Sequence, residues 1–323
     1  MTGGYAGGVP VAEVVRSGFV EGRHHGSVVV LDAQGRTVAS VGDPDGPIFP
    51  RSSNKLMQAT AMLRAGLALT DPADLAVVAA SHSAEPFHLD RIGALLHRAG
   101  LSEEDLGCPP DLPLSATARA AVYADRGGPR RLYMNCSGKH TGMLLTCRAA
   151  GWPIAGYLAQ DHPLQRACRA EIERMCQESV AALGVDGCGA PVAAVSLTGL
   201  ARAFLAGVEA APGTPERTIA DAMRAFPELV SGTDREDLRL MRAVPGLLSK
   251  VGAEGVTALA VAGRGAVAVK IDDGADRARL PVVVAALRWL DLTSPELDEV
   301  AHTPILGGGE PVGEVRVIGD RLG

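Results

Sequence analysis

At 323 residues the chain is long enough for one large domain or two lobes around a sizeable core. A net charge of −6 and an aromatic content of 3%, with basic residues dispersed apart from Arg130-Arg131, argue against a nucleic-acid surface or a base-stacking platform. No run of about eighteen apolar residues exists to span a membrane. The N-terminal stretch Met1-Thr2-Gly3-Gly4-Tyr5 lacks the basic-then-apolar pattern of a secretory signal, so a cytoplasmic location is expected.

The first elements read as sheet. Val28–Leu31 and Thr37–Val41 flank the turn Asp32-Ala33-Gln34-Gly35 and predict a hairpin. The next segment, Arg51-Ser52-Ser53-Asn54-Lys55, opens a run of good helix formers, Leu56–Leu63, with apolar residues at helical spacing. Ser52 and Lys55 stand three residues apart, on one helix face. A serine hydroxyl becomes a useful nucleophile only with a base within about 3 Å. Lysine serves as that base once deprotonated, at a cost of roughly 4–5 kcal/mol from a reference pKa near 10.4. Burial and a neighbouring cation lower that cost, and Arg51 and Lys250 are candidate cations. Taken alone, the pattern reads more simply as a solvated helix start capped by Ser52 or Ser53.

Residues 67–187 read as helices separated by Pro and Gly, including Leu89–Ala99, Gly138–Ala150 and Pro163–Leu183. In the last, Leu164, Ala167, Cys168, Ile172, Met175 and Val180 form an apolar stripe. Within this region Ser81-His82-Ser83 makes a sharp polar turn, read either as a site motif or as the cap of a helix from Pro86. Asn135-Cys136-Ser137-Gly138-Lys139-His140 and Asp186-Gly187-Cys188-Gly189 place cysteines where they can hold a soft divalent ion or lie buried as structural thiols. The six cysteines, at 108, 136, 147, 168, 176 and 188, sit in the central third of the chain, which favours reduced thiols or a metal over a disulfide framework. Lys250-Val251-Gly252 precedes a second predicted hairpin, Val256–Val261 with Ala266–Ile271. Pro281–Leu290 predicts a helix, and Gly313–Ile318 a last strand. Strand-rich ends around a helical middle imply a discontinuous sheet domain, 1–66 and 188–323, plus a helical lobe, 67–187. No nucleophile elbow, zinc-deaminase signature or phosphate-binding glycine loop is present.

Ser-x-x-Lys at a helix start, a serine turn and a Lys-x-Gly before a strand occur in the order seen in serine β-lactamases, penicillin-binding proteins and glutaminases. The runs Val14–Glu21 with His25-Gly26, Pro50–Lys55, Ser81-His82, Asn135–His140, Asp186–Gly189, Lys250–Gly255 and Ile271–Gly274 resemble, more narrowly, the Rhizobium etli-type L-asparaginases, also called the L-asparaginase II family. The likeness extends over nearly the whole chain. It implies an α+β, β-lactamase-like fold: an α/β/α sandwich with an antiparallel sheet covered by helices, plus an all-helical lobe. It also implies hydrolysis of L-asparagine to L-aspartate and ammonia through an acyl-enzyme. Carried over by position, Ser52 pairs with Lys55 and Ser81 with Lys250 as the catalytic groups. Arg51 and Asp186 would bind the substrate's charged ends. Cys136, Lys139 and Cys188 would hold one zinc ion, which assists substrate binding, in a homodimer.

Two features depart from the penicillin-recognising enzymes. Val251 stands where a hydroxyl residue usually follows the lysine, and the serine turn lacks their asparagine; both weigh against β-lactam hydrolysis. The alternatives are a glutaminase or serine peptidase on the same fold, since one methylene discriminates by only about 1–3 kcal/mol, or a non-catalytic zinc- or amino-acid-binding protein.

Overall fold

The computed structural model describes residues 4–319; Met1–Gly3 of the N-terminal stretch lies outside the described residues. The strands are β1 (Val9–Arg16), β2 (Phe19–Asp32), β3 (Thr37–Val41), β4 (Ala182–Val185), β5 (Pro191–Ala194), β6 (Leu248–Val251), β7 (Val256–Val261), β8 (Gly265–Ile271), β9 (Pro304–Gly307) and β10 (Glu310–Val317). The helices are α1 (Lys55–Arg64), α2 (Pro72–Val78), α3 (Pro86–Arg98), α4 (Ala116–Ala124), α5 (Ser137–Ala149), α6 (Pro163–Cys176), α7 (Leu197–Glu209), α8 (Pro215–Ala225), α9 (Pro227–Val230), α10 (Glu236–Ala243), α11 (Asp276–Arg288) and α12 (Pro295–Ala301).

The main sheet runs β6-β7-β8-β2-β1-β10-β9, with β3 added beside β2, and every pairing in it is antiparallel. Period-two alternation decides its two faces. Val29, Leu31, Ala258, Ala260, Ala266 and Ala268 join one core. Val28, Val30, Leu259, Val267 and Val269 join the other. Helix α7 packs across β2, β7 and β8, while α11 packs across β1, β2, β8 and β10. The sheet is therefore covered by helices from both cores, the layered α+β arrangement expected. Behind α7 lies the helical body, in which α1 touches α5, α6 and α8, and α2 touches α5 and α8.

Both predicted hairpins form, with Val28 opposite Val41 and Leu259 opposite Val267. The predicted helix Pro163–Leu183 stops at Cys176. Gln177 adopts a left-handed conformation, φ 59°, and its N–H closes on the Glu173 carbonyl; the chain then turns into β4, so Val180 is not part of the stripe. The predicted C-terminal helix begins earlier, at Asp276, and carries Pro281 in its interior. Pro281 forfeits one backbone hydrogen bond and is buried on the sheet-facing helix. All six cysteines are buried and free. Among the described residues no helix is long and apolar enough to cross a membrane.

Candidate active site

The helix that begins at Lys55 is entered through a 3-10 turn, Arg51–Asn54, with Arg51 at φ 52°. A non-glycine residue held there costs free energy and persists only where packing enforces it. The enforcement comes from Gly252 just beyond β6. A Cβ on Gly252 would overlap the Pro50 carbonyl oxygen and lie 3.0 Å from Ser53 Oγ. Ser53 Oγ in turn donates to the Lys250 carbonyl at 2.9 Å. The Lys-x-Gly motif and the Ser-x-x-Lys motif are thus clamped backbone to backbone. Ser53 serves this clamp and makes no cap, which disposes of the solvated-helix reading; Lys55 is 1% exposed.

The clamp leaves Ser52 half-buried. Among the described residues the Lys55 side chain bonds not to Ser52 but to the Ala80 carbonyl and to Ser81 Oγ, the latter at 2.8 Å. The expected local pairing of Ser52 with Lys55 is therefore replaced, in this resting geometry, by a long-range contact. Helix α2 delivers Ser81: the chain leaves it at Val78, Ser81 N–H donates to the Val230 carbonyl, and His82 N–H to the Asn135 carbonyl. His82 Nδ1 accepts from Ala84 N–H at 3.1 Å, so its Nε2 carries the proton and donates to Ser137 Oγ at 2.8 Å. Burial, with the His88 and Lys55 charges, drives His82 well below the usual histidine range. It is a neutral strut between the serine turn and α5. Neither Ser81 nor Ser83 caps the next helix. Glu85 does so in a capping box with His88, while Ser83 Oγ donates to the Ser231 carbonyl.

Lys250 is fully buried on edge strand β6. Its Nζ donates to Asp237 Oδ2 and to the Val251 carbonyl, each at 3.0 Å. Ser81, the expected partner, bonds to Lys55 instead. Asp237 also has 0% exposure. Sequence analysis missed it, because an acid in the first turn of a helix, here Glu236-Asp237-Leu238, ordinarily reads as a favourable charge near the helix N-terminus. Burial lowers the Lys250 pKa against the pull of Asp237, and Lys55 adds to the lowering.

Helix α5 brings in the sulfur cluster. A Cβ on Gly138 would overlap the Val77 carbonyl oxygen, so only glycine lets α5 approach α2 closely enough to place Cys136 and Lys139 beside the serine turn. Lys139 Nζ donates to Cys188 Sγ at 3.1 Å. Cys136 is held well below the usual thiol range, above all by the Cys188 thiol donating to it; the Lys55 and Lys139 charges add to this against the effect of burial. Lys139, although buried, is pushed up by Cys188 and Cys136. Two sulfurs, one of them held toward its thiolate form, and an amine that binding would deprotonate form a donor set that suits a soft divalent ion. Among the described residues no group of three or more His, Cys, Asp or Glu side chains could hold a metal; the third member of this cluster is Lys139. His140 shares Nδ1 with the Tyr157 hydroxyl at 2.7 Å, and its buried Nε2 has no hydrogen-bond partner among the described residues.

Arg51 Nε donates to Asp186 Oδ1 at 2.8 Å. Burial raises the Asp186 pKa, but Lys139, Arg51 and the Gly187 N–H outweigh it and hold the carboxylate below its usual range. The two expected substrate-binding groups therefore meet as an ion pair at the edge of the cluster. Lys55 links the halves, touching Ser81, lowering Cys136 and repelling Lys250.

The sequence pattern of the family described as L-asparaginase II matches residues 12–317. Among solved structures the chain is similar to a β-lactamase from Mycobacterium bovis, at 17% identity and a TM-score of 0.39, over 85% of this chain and 93% of that one. No curated protein matches it significantly. Since the family match takes in nearly the whole chain, including every residue of the cluster just described, the chain belongs to the L-asparaginase II family.

Proposed function

We propose that the protein hydrolyses L-asparagine to L-aspartate and ammonia through a serine acyl-enzyme, with Ser52 as nucleophile. Family membership supports asparagine amidohydrolase activity. The observation that carries the finer reading is the buried Lys55, which stands on the Ser52 helix and is bonded at 2.8 Å to a second hydroxyl, Ser81. In the first step Ser52 Oγ attacks the side-chain amide carbon as Lys55, having given up its own proton, takes the hydroxyl's. The developing oxyanion needs donors, most simply backbone N–H groups near the helix start. The proton reaches the departing nitrogen through Ser81, ammonia leaves, and water releases aspartate by the reverse relay. Arg51 and Asp186, with opposite charges, suit the carboxylate and ammonium of the amino acid. A second reading, favoured by the same 2.8 Å bond, makes Ser81 the nucleophile.

Cys136, Lys139 and Cys188 would hold one zinc ion. When bound, zinc would supply a positive charge beside the substrate and so assist its binding. Elemental analysis after dialysis should find about one equivalent in the wild type and less than about 0.1 in Cys136→Ser or Cys188→Ser. A wild type that retains no more metal than these variants overturns the assignment.

The activity itself is tested by ammonia release from L-asparagine and L-glutamine side by side. Turnover of asparagine is expected, with glutamine slower by roughly 10–200-fold, the effect of one methylene in a fitted pocket. Release from neither amide with zinc supplied would refute the amidohydrolase reading.

A further inference from the structure

Asp237 is fully buried, and one of its oxygens serves two groups. Oδ1 accepts from Ser249 Oγ at 2.8 Å and from Val251 N–H at 2.9 Å, while Oδ2 accepts from Lys250 Nζ at 3.0 Å. Three consecutive residues of edge strand β6 are thus tied to a single carboxylate. Lys250 stands close enough to Lys55 to be repelled by it. A buried ammonium beside a second lysine is retained only if a counter-charge accompanies it, because desolvation costs several kcal/mol per ion.

We infer that Asp237 is a positioning residue of the active site, holding Lys250 as a fixed, charged donor rather than a base. This rests on the hydrolase reading above, and it makes the two lysines unequal. Lys55 has a carbonyl and a hydroxyl for partners, whereas Lys250 has a carbonyl and a carboxylate. Lys250 therefore spends two of its three N–H donors on the protein and keeps one. Its contribution is electrostatic, a preorganised positive charge facing the bond being broken.

The charged groups facing Lys250 are Asp237 and Arg235 from α10 and its approach, and Lys55 from α1. Strand β7 brings no titratable side chain. In the 3-10 turn Arg51 is engaged by Asp186 and Glu254, and from α8 Arg224 reaches the Gly246 carbonyl. Among the described residues Asp237 is the anion that bonds directly to Lys250, at 3.0 Å, while Glu236 beside it on α10 is engaged by Arg279.

The decisive variant is Asp237→Asn. It keeps an oxygen for Ser249 and Val251 and replaces only the oxygen that meets Lys250. In the full-length, zinc-supplied enzyme, kcat for asparagine should fall roughly 100-fold, as for loss of one preorganised donor, with KM within about 3-fold. Removing the anion favours the neutral amine, so the alkaline limb of the pH–kcat profile should move to lower pH. A thermal cycle provides a readout independent of turnover. Lys250→Met leaves Asp237 buried and unpaired and should lower the melting temperature, and adding Asp237→Asn to it should restore part of the loss. Unchanged kcat and alkaline limb in Asp237→Asn would overturn the inference. So would a double variant no more stable than Lys250→Met, which also decides the matter should Asp237→Asn fail to fold. A wild type without turnover would instead overturn the hydrolase reading, and this role with it.

Discussion

Replacing Ser52 by alanine is expected to lower asparagine turnover by about 1,000-fold or more, the scale on which loss of a nucleophile acts, with almost no change in stability. The two halves of that expectation come from one geometric fact. Ser52 Oγ is half-buried and makes no side-chain bond among the described residues, so its removal orphans nothing and falls within about 0.5 kcal/mol. Ser81→Ala should behave differently. It removes the 2.8 Å partner of a fully buried lysine and should cost about 1–3 kcal/mol as well as activity. Denaturant midpoints and kcat, measured on both variants, separate the roles. Mass spectrometry after trapping with an electrophilic asparagine analogue completes the test. The adduct is expected on the Ser52 peptide in the wild type and absent in Ser52→Ala; an adduct that persists in Ser52→Ala transfers the nucleophile to Ser81.

Gly252→Ala is expected to have the second large effect, although it alters no reacting group. The added Cβ meets the Pro50 carbonyl, which is backbone and cannot rotate aside. Overpacking of this kind costs about 1–3 kcal/mol. The strain is relieved only by parting the 3-10 turn from β6, and these carry Ser52 and Lys250. A displacement near 1 Å between catalytic groups lowers rates by about 100-fold. Gly93→Ala is the control. Gly93 lies within α3 with nothing within 4 Å of its would-be Cβ, so alanine there should stabilise by about 0.5–1 kcal/mol and leave kcat alone. Equal kcat and midpoints in Gly252→Ala and the wild type would show that the clamp does not hold the site together.

The sequence made the local geometry legible and left the long-range geometry hidden. Short apolar runs, Val28–Leu31 and Ala266–Ile271 among them, revealed the hairpins because turn residues bound them on the side of their partner strands. Helical spacing revealed α1, but it ranks only local neighbours. It offered Ser52 as the partner of Lys55, whereas Ser81 reaches Lys55 from the far end of α2. The end of α6 at Gln177 was invisible because Val180 continues the stripe in register, while a residue other than glycine takes the left-handed turn. Asp237 was hidden for a related reason: nothing in a first-turn acid reveals that it will be buried against a strand edge. Cys136, Lys139 and Cys188, by contrast, were grouped only by motif resemblance, since spacing alone left the two cysteines as buried thiols; in the fold Lys139 bonds to Cys188 and the two sulfurs interact.

Strand β1 lies between β2 and β10, with Ala12 opposite Val317, and β2 is completed by β8, with Leu31 opposite Ala266. The middle of the sheet is therefore assembled from the two ends of the polypeptide. During synthesis at about 5–20 residues per second, the first strands emerge roughly 15–60 s before the last one. Until α7 and β8 follow, Val11, Val14 and Val28–Val30, all destined to be buried, have only each other and the short β3 to cover them. Refolding from denaturant faces the same closure of nearly the whole chain, and contacts so distant in sequence slow folding. The protein should consequently reach its native state late, and its yield on expression should depend more on holdase chaperones and temperature than on its final stability.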